Sequence, residues 1–183
     1  TGAPRPARAQ ALAGAVPEVD SGAVRVVPDS YHHAFEPSRK INDLTVQRFA
    51  FALAKDKPPR KALQNEWGLS LHLASEKDGA KAQYVLDFGY TPEIINRNFE
   101  LLGIEPGKIN GLILSHGHLD HFGGLQGFVK QHRGQMRDDI ALYVGGETVF
   151  RTKWVKEGGE TLQWCSLDRA ALDITDDRAV NDA

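Results

Sequence analysis

The apolar positions of the chain fall into short blocks whose period switches between two residues and three to four. In WGLSLHLAS, Leu69, Leu71 and Leu73 fall on one side and Ser70, His72 and Ala74 on the other, the alternation of a strand. The turn-forming EKDGAK joins it to a second apolar run, AQYVLDFGY, and the pair reads as a hairpin. From Thr91 the period lengthens. A hydroxyl at the cap, Pro92 at the first helical position, a stripe of Ile94, Ile95, Phe99, Leu101 and Leu102, and a closing Gly103 define a helix. INGLILS reads as a buried strand, HFGGLQGFVKQH as a helix with a glycine-loosened first turn, IALYVGG as another strand, and ETVFRTKWV as a short helical turn. Nearer the amino terminus, AVRVVP (Ala23 to Pro28) reads as a buried strand. LTVQRFAFAL (Leu44 to Leu53) reads as another, with KDKPPRK a solvated break after it. This order is the cadence of a layered α/β domain.

Length sharpens that picture, since 183 residues suit one domain with a sizeable core. Residues 1–22, rich in Ala, Pro, Gly and Arg, read as a flexible leader or signal remnant, 23–165 as the domain, and 166–183 as a polar, acidic tail. The chain starts with Thr1 and its only methionine is Met136, so its amino terminus is expected not to be a translation start. The small residues of ARAQALAGA resemble a cleavage region, which leaves periplasmic and cytoplasmic locations both open. A net charge of −2, from 22 basic and 24 acidic residues, gives no electrostatic reason to expect nucleic acid or an anionic membrane as partner. No apolar run approaches the roughly 18–20 residues of a membrane span. A small-molecule substrate is the expected partner. Cys165 stands alone, so no intramolecular disulfide is available. With no histidine after it to act as base, it reads as a packed thiol.

Chemistry concentrates in LILSHGHLDHFGG. His116, His118, Asp120 and His121 follow an apolar strand, at the end of a strand where open α/β sheets gather ligands. Imidazole and carboxylate are ligands of zinc, iron or manganese, and a short loop can aim His116 and His118 at one ion and Asp120 and His121 at a neighbour. Gly117 is expected to allow backbone angles that a side chain would resist, and Gly123 and Gly124 to let the next helix approach closely. A lone histidine is usually structural, but three with an aspartate in six positions point to metal.

SHGHLDHFGG resembles the HxHxDH signature of the metallo-β-lactamase superfamily, and VLDFGY resembles the strand ending in Asp-x-Gly of the same fold. EWGLSLHL, LDFGYTPEIINRNFELLGIEP, LILSHGHLDHFGGL and LYVGGETVF are similar in order to its dihydropterin-phosphate-synthase-like branch. The resemblance implies an αββα sandwich with a mixed sheet, of which this chain would be the amino-terminal portion. It implies a dinuclear site, zinc for preference and iron or manganese otherwise, two ions per complete site. His116 and His118 would hold one ion, Asp120 and His121 the other, with Asp120 also the catalytic residue. Asp87 would orient the metal loop by hydrogen bonds from behind the ligands. Phe88 stands where many relatives have threonine.

The resemblance also implies a further histidine, a bridging carboxylate and a final histidine, yet no histidine follows His132. Metal affinity is therefore expected to be weakened, and an apolar sheet face to be left for a second copy or a second fragment to cover. Asp29, His32 and His33, in the loop after the first strand, are candidates for the site rim. His72 reads as a satisfied, half-buried strand residue, His132 as a cation suiting a helix end, and Trp67, Trp154 and Trp164 as packing residues. The leading expectation is a metal-dependent hydrolase of a small-molecule ester, amide or phosphoester, acting through metal-activated water. A truncated or degenerate metal-binding member without catalysis, and an iron-dependent oxidoreductase or dioxygenase, are the alternatives.

Overall fold

The computed structural model describes residues 18–31, 36–48, 62–169 and 172. His32, His33 and the second half of the strand expected at Leu44 to Leu53 lie outside these residues. The main sheet has five strands in the order β1 (Ser21–Val26), β4 (Leu71–Lys77), β5 (Ala80–Leu86), β6 (Gly111–Leu114), β7 (Leu142–Val144). Two hairpins with two-residue turns stand apart from it, one pairing β2 (Arg39–Ile41) with β3 (Leu44–Val46), the other β8 (Lys153–Glu157) with β9 (Glu160–Cys165). β1, β4 and β5 run antiparallel, whereas β5, β6 and β7 are parallel, so the sheet is mixed and the class is α/β as the sequence implied.

The hairpin turn is set by Asp78 and Gly79, both at positive φ (50° and 78°), the two-residue geometry that follows the twist of its strands. A parallel β5–β6 pair needs a crossover, and α1 (Pro92–Leu102) supplies it, ended by Gly103 in the left-handed conformation. The glycine-rich helix is broken into a single turn, α2 (Leu119–Phe122), and α3 (Leu125–His132). One sheet face, carrying Val85, Leu112, Leu114 and Leu142, packs with Ile95 and Phe99 of α1 and Leu125, Phe128 and Val129 of α3 in a single core. Among the described residues no helix is long and apolar enough to cross a membrane.

Several expectations are corrected. Of the buried strand expected from Ala23 to Pro28, only Val27 and Pro28 are buried, whereas β1 itself is exposed along its length at the end of the sheet, where it pairs on one side only. The helical reading of ETVFRTKWV holds only for a tight turn at Glu147–Phe150, after which the chain enters the β8–β9 hairpin. Leu167, beyond that hairpin, belongs to the buried core. His72 is fully buried, 2% exposed, because it faces the helix-covered side of the sheet. Its Nδ1 accepts from Arg25 at 3.1 Å and its Nε2 donates to Gln83 at 2.9 Å. His132 is no exposed helix-end cation either. It is buried against Phe99 and Phe128, and burial pushes its pKa down, which favours the neutral ring.

Thr91 occupies the cap position of α1 without capping it. The Glu66 carboxylate does so instead, accepting from the backbone N–H of Tyr90 and Thr91 and from the Thr91 hydroxyl, which donates at 2.7 Å. A negative charge at a helix amino terminus is also favoured by the helix dipole.

The other sheet face carries Val24, Val26, Leu71, Leu73, Tyr84, Leu86, Ile113 and Tyr143, aligned by strand register. None of these is buried, and Val24 is 65% and Tyr143 41% exposed. Gly111 sits between Tyr84 and Tyr143 there, and a Cβ on it would approach both rings within 3.0 Å.

Candidate functional site

β6 ends at Leu114, and the next seven residues bring the donors together. Asp87, just past the end of β5, sits at φ 60°, a left-handed conformation that aspartate tolerates better than most residues. Its buried carboxylate takes the Ser115 backbone N–H (2.8 Å) on Oδ1, and the Ser115 hydroxyl (2.7 Å) and His121 Nδ1 (2.7 Å) on Oδ2. Each proton then has a direction. With Nδ1–H given to Asp87, His121 turns its Nε2 lone pair towards Asp120 Oδ2, 3.5 Å away. With its hydroxyl proton given to Asp87, Ser115 accepts from His116 Nδ1 at 2.9 Å, leaving the His116 Nε2 lone pair facing His118 Nδ1 at 3.0 Å. The rings of His116 and His121 lie 4.1 Å apart. Burial first, then the neighbouring His121 and His118, lowers the His116 pKa, so the ring favours its neutral, ligating form.

Glycines let the surrounding backbones close on this loop. The correction at Gly117 is one of mechanism, because its φ is not among the positive ones and space is what it supplies. A Cβ there would fall 2.0 Å from the Val149 carbonyl oxygen. Gly123 and Gly124 have helical φ, and a Cβ would meet the carbonyl oxygens of Tyr90 (2.1 Å) and Phe88 (2.2 Å). Gly68 needs both freedoms, with φ 128° and a Cβ position 2.2 Å from the Asp120 carbonyl oxygen. Backbone bonds follow these close approaches: Leu69 N–H donates to Asp120 O, Phe88 N–H to His121 O, and Gly89 N–H to Leu69 O.

The donors fit a metal in kind. His121 Nε2 and Asp120 Oδ2 face one another with no proton assigned between them, and Asp120 Oδ1 is buried without any hydrogen-bond partner, an arrangement a cation would relieve. The fit is partial, since among the described residues no three His, Cys, Asp or Glu side chains converge closely enough to hold one ion. Asp29 is exposed at the loop after β1, where it accepts from its neighbour Ser30 N–H, and among the described residues no hydrogen bond or ion pair joins it to a histidine. Cys165 is buried beneath the loop, its thiol donating to the Gly117 carbonyl at 3.7 Å, and burial pushes its pKa up, as befits a packed thiol.

Two features escaped the sequence reading. Ser115 joins Asp87 to His116, and its place directly before the cluster was the available clue. Trp67 and Trp154 are exposed rather than packed, and Trp67 stacks on Trp164 at 5.8 Å and lies 5.6 Å from Tyr90. Trp164 in turn lies 5.3 Å from the His118 ring. Trp67 and Tyr90 flank loop positions that the backbone bonds fix beside Asp120, a proximity no spacing in the sequence reveals.

Residues 78–134 match the family model of the metallo-beta-lactamase superfamily. A Methanocaldococcus jannaschii protein named 7,8-dihydropterin-6-methyl-4-(beta-D-ribofuranosyl)-aminobenzene-5'-phosphate synthase is 40% identical over 67 residues. That match covers 37% of this chain and 23% of the relative, so the chain spans about a quarter of the length of the curated protein it matches. Among solved structures, MEM-A1, a subclass B3 metallo-beta-lactamase from a soil metagenome library, aligns at 20% identity and TM-score 0.34, covering 63% of this chain and 44% of its own. The sec-alkylsulfatase Pisa1 from Pseudomonas sp. aligns at 26% identity and TM-score 0.27, covering 40% and 12%.

Proposed function

We propose that His116, His118, Asp120 and His121 contribute to the metal site of a hydrolase acting on an ester, amide or phosphoester of a small molecule. The observation that carries this reading is the directed set of donors: Asp87 and Ser115 use the Nδ1 protons of His121 and His116, so the His121 Nε2 lone pair faces Asp120 and the His116 Nε2 lone pair faces His118, beside the unpartnered Asp120 Oδ1. His116 and His118 would hold one ion and Asp120 and His121 a second, with zinc the first choice and iron or manganese next. When bound, such ions supply Lewis acidity that polarises the scissile oxygen. Asp120 orients a water or holds its proton, and Asp87 keeps His121 turned towards the site. The remaining donors would come from outside the described residues, including a second copy or a second fragment. The archaeal relative is a synthase named for a phosphorylated, heterocyclic product, and a small molecule of that class is the substrate proposed here.

The test joins metal analysis to a panel of esters and phosphodiesters. Two tightly bound zinc ions per chain, lost in His116→Ala, with hydrolysis of a phosphodiester, are expected. Absence of hydrolysis in the metal-loaded protein overturns the catalytic reading. A metal-binding member without catalysis is the second reading, favoured by the lack of a third converging donor among the described residues. Substoichiometric metal without turnover is its signature.

A further inference from the structure

Trp67 is 53% and Tyr90 40% exposed, yet both adjoin tightly packed backbone. The residue after Trp67 has no room for a side chain against Asp120, and the carbonyl of Tyr90 presses on Gly123. Leu69 is bonded to Asp120, and Gly89, directly before Tyr90, is bonded to Leu69. The two rings are thus held in register with the histidine loop while leaving aromatic surface in solvent. Trp164, half-buried, continues the surface from Trp67 to His118.

Large rings left exposed on a rigid frame favour a planar partner, because stacking buries both faces and leaves indole N–H and phenol O–H in water. We propose that Trp67, Tyr90 and Trp164 form a platform on which the substrate stacks a planar aromatic or heteroaromatic ring, with its hydrolysable group turned towards His118. This rests on the reading of the histidine cluster as the reacting centre. A spacing of 5.8 Å between the Trp67 and Trp164 rings is too close to admit a third ring between them, where about 7 Å is needed for two successive stacking distances, so the ligand lies on the platform rather than within a clamp. From there, the 5.3 Å between the Trp164 and His118 ring centres brings a group on a short substituent of the stacked ring within reach of the histidine. The class of ligand is therefore an aryl or heteroaryl compound with an ester or phosphoester on a short substituent, and a saturated ring of equal charge is the poorer ligand.

The test follows the three tryptophan indole N–H resonances by NMR during titration with 1-naphthyl phosphate and, separately, cyclohexyl phosphate, in metal-free and zinc-loaded protein. Saturable shifts at Trp67 and Trp164 with the naphthyl compound, with Trp154 unmoved and cyclohexyl phosphate at least about tenfold weaker, are expected. Trp67→Ala should weaken naphthyl binding about tenfold, while Trp67→Phe restores most of it and zinc content stays unchanged. Equal affinity for the two phosphates overturns the proposal, as does unchanged binding in Trp67→Ala. A Trp67→Ala effect confined to self-association overturns it as well, assigning the rings to a protein contact. Loss of zinc binding with naphthyl stacking intact counts instead against the metal reading alone.

Discussion

Asp87 holds His121 by Nδ1 at 2.7 Å while its own backbone stands at φ 60°. The strain and the hydrogen bond belong together, since the left-handed turn at the end of β5 aims the carboxylate under the loop from Ser115 to His121. Substitution separates the two contributions. Asp87→Asn keeps a residue tolerant of that φ and one acceptor oxygen, and should cost about 1–2 kcal/mol of stability. Asp87→Ala strands the donors of Ser115 and His121 as well and should cost about 3–5 kcal/mol. Zinc affinity should fall about 10–100-fold already in the asparagine variant, because a neutral amide orients His121 less firmly. Urea unfolding and zinc competition titrations read both quantities, and equal losses in the two variants would remove the orienting role.

Space and backbone angle are separable at the glycines. Gly79 has φ 78° with nothing near a Cβ, so Gly79→Ala should cost only about 1–2 kcal/mol for its conformation. Gly117→Ala has no such angle to contend with but drives a methyl group to 2.0 Å from the Val149 oxygen. A backbone shift must follow, and a loss of about 2–3 kcal/mol is expected, together with weakened zinc binding. Thermal or chemical denaturation of the two variants ranks them, and a milder effect at Gly117 would mean that the loop yields.

How much of this was legible in the sequence depends on the range of the interaction. The β4–β5 hairpin, α1 and the donor cluster are local patterns, fixed by Asp78–Gly79, by Thr91 to Gly103 and by the six positions from His116 to His121. The Glu66 cap was hidden because its partners lie about 25 residues away. His72 looked half-buried because alternation shows that two faces differ and leaves open which one the helices cover. The exposure of Trp67 was equally invisible, since composition favours burial of tryptophan and only tertiary placement beside Asp120 sets it apart.

That long-range cap reverses an expectation for α1. A side chain at the cap position normally matters most, yet Thr91→Ala removes one donor to a carboxylate that keeps its two backbone partners. About 0.5–1 kcal/mol is expected. Glu66→Ala leaves both N–H groups and the hydroxyl unpaired and should cost about 2 kcal/mol. Combining the two should add little to the Glu66→Ala loss, which a double-mutant cycle by denaturation checks.

Acid should loosen the fold through His72. Burial, the largest cause, lowers its folded pKa below the ordinary value of about 6.5, and Arg25 lowers it further. The sign follows: above about pH 6.5 the ring is neutral folded and unfolded, whereas below it the unfolded chain takes the proton first. Stability therefore falls as pH drops from about 6.5, by at most about 1.4 kcal/mol per pH unit for this one group, and levels off below the folded pKa. His132, shifted the same way, adds to the slope. Unfolding in urea between pH 7.5 and 5 should show the loss, and His72→Gln should flatten it; an unchanged slope would mean that His72 protonates in place.

The sheet face away from the helices, exposed on its edge strands and half-buried along its middle, predicts behaviour in solution. Val24, Leu73, Tyr84, Ile113 and Tyr143 share it by register, and contiguous apolar surface on this scale drives association when nothing covers it. The isolated chain should self-associate at micromolar concentration through this face. Val24→Lys and Tyr143→Lys place ammonium groups at exposed positions of it, so they should cost the monomer less than about 0.5 kcal/mol each while opposing a second copy. Sedimentation velocity should find the double variant monomeric at concentrations where the parent is dimeric. If instead the parent stays monomeric across that range, a second copy is not what covers the sheet. Zinc stoichiometry on the same samples adds the link to chemistry: a dimer that supplies the missing donors loses metal when the charges split it, whereas one that merely hides apolar surface does not.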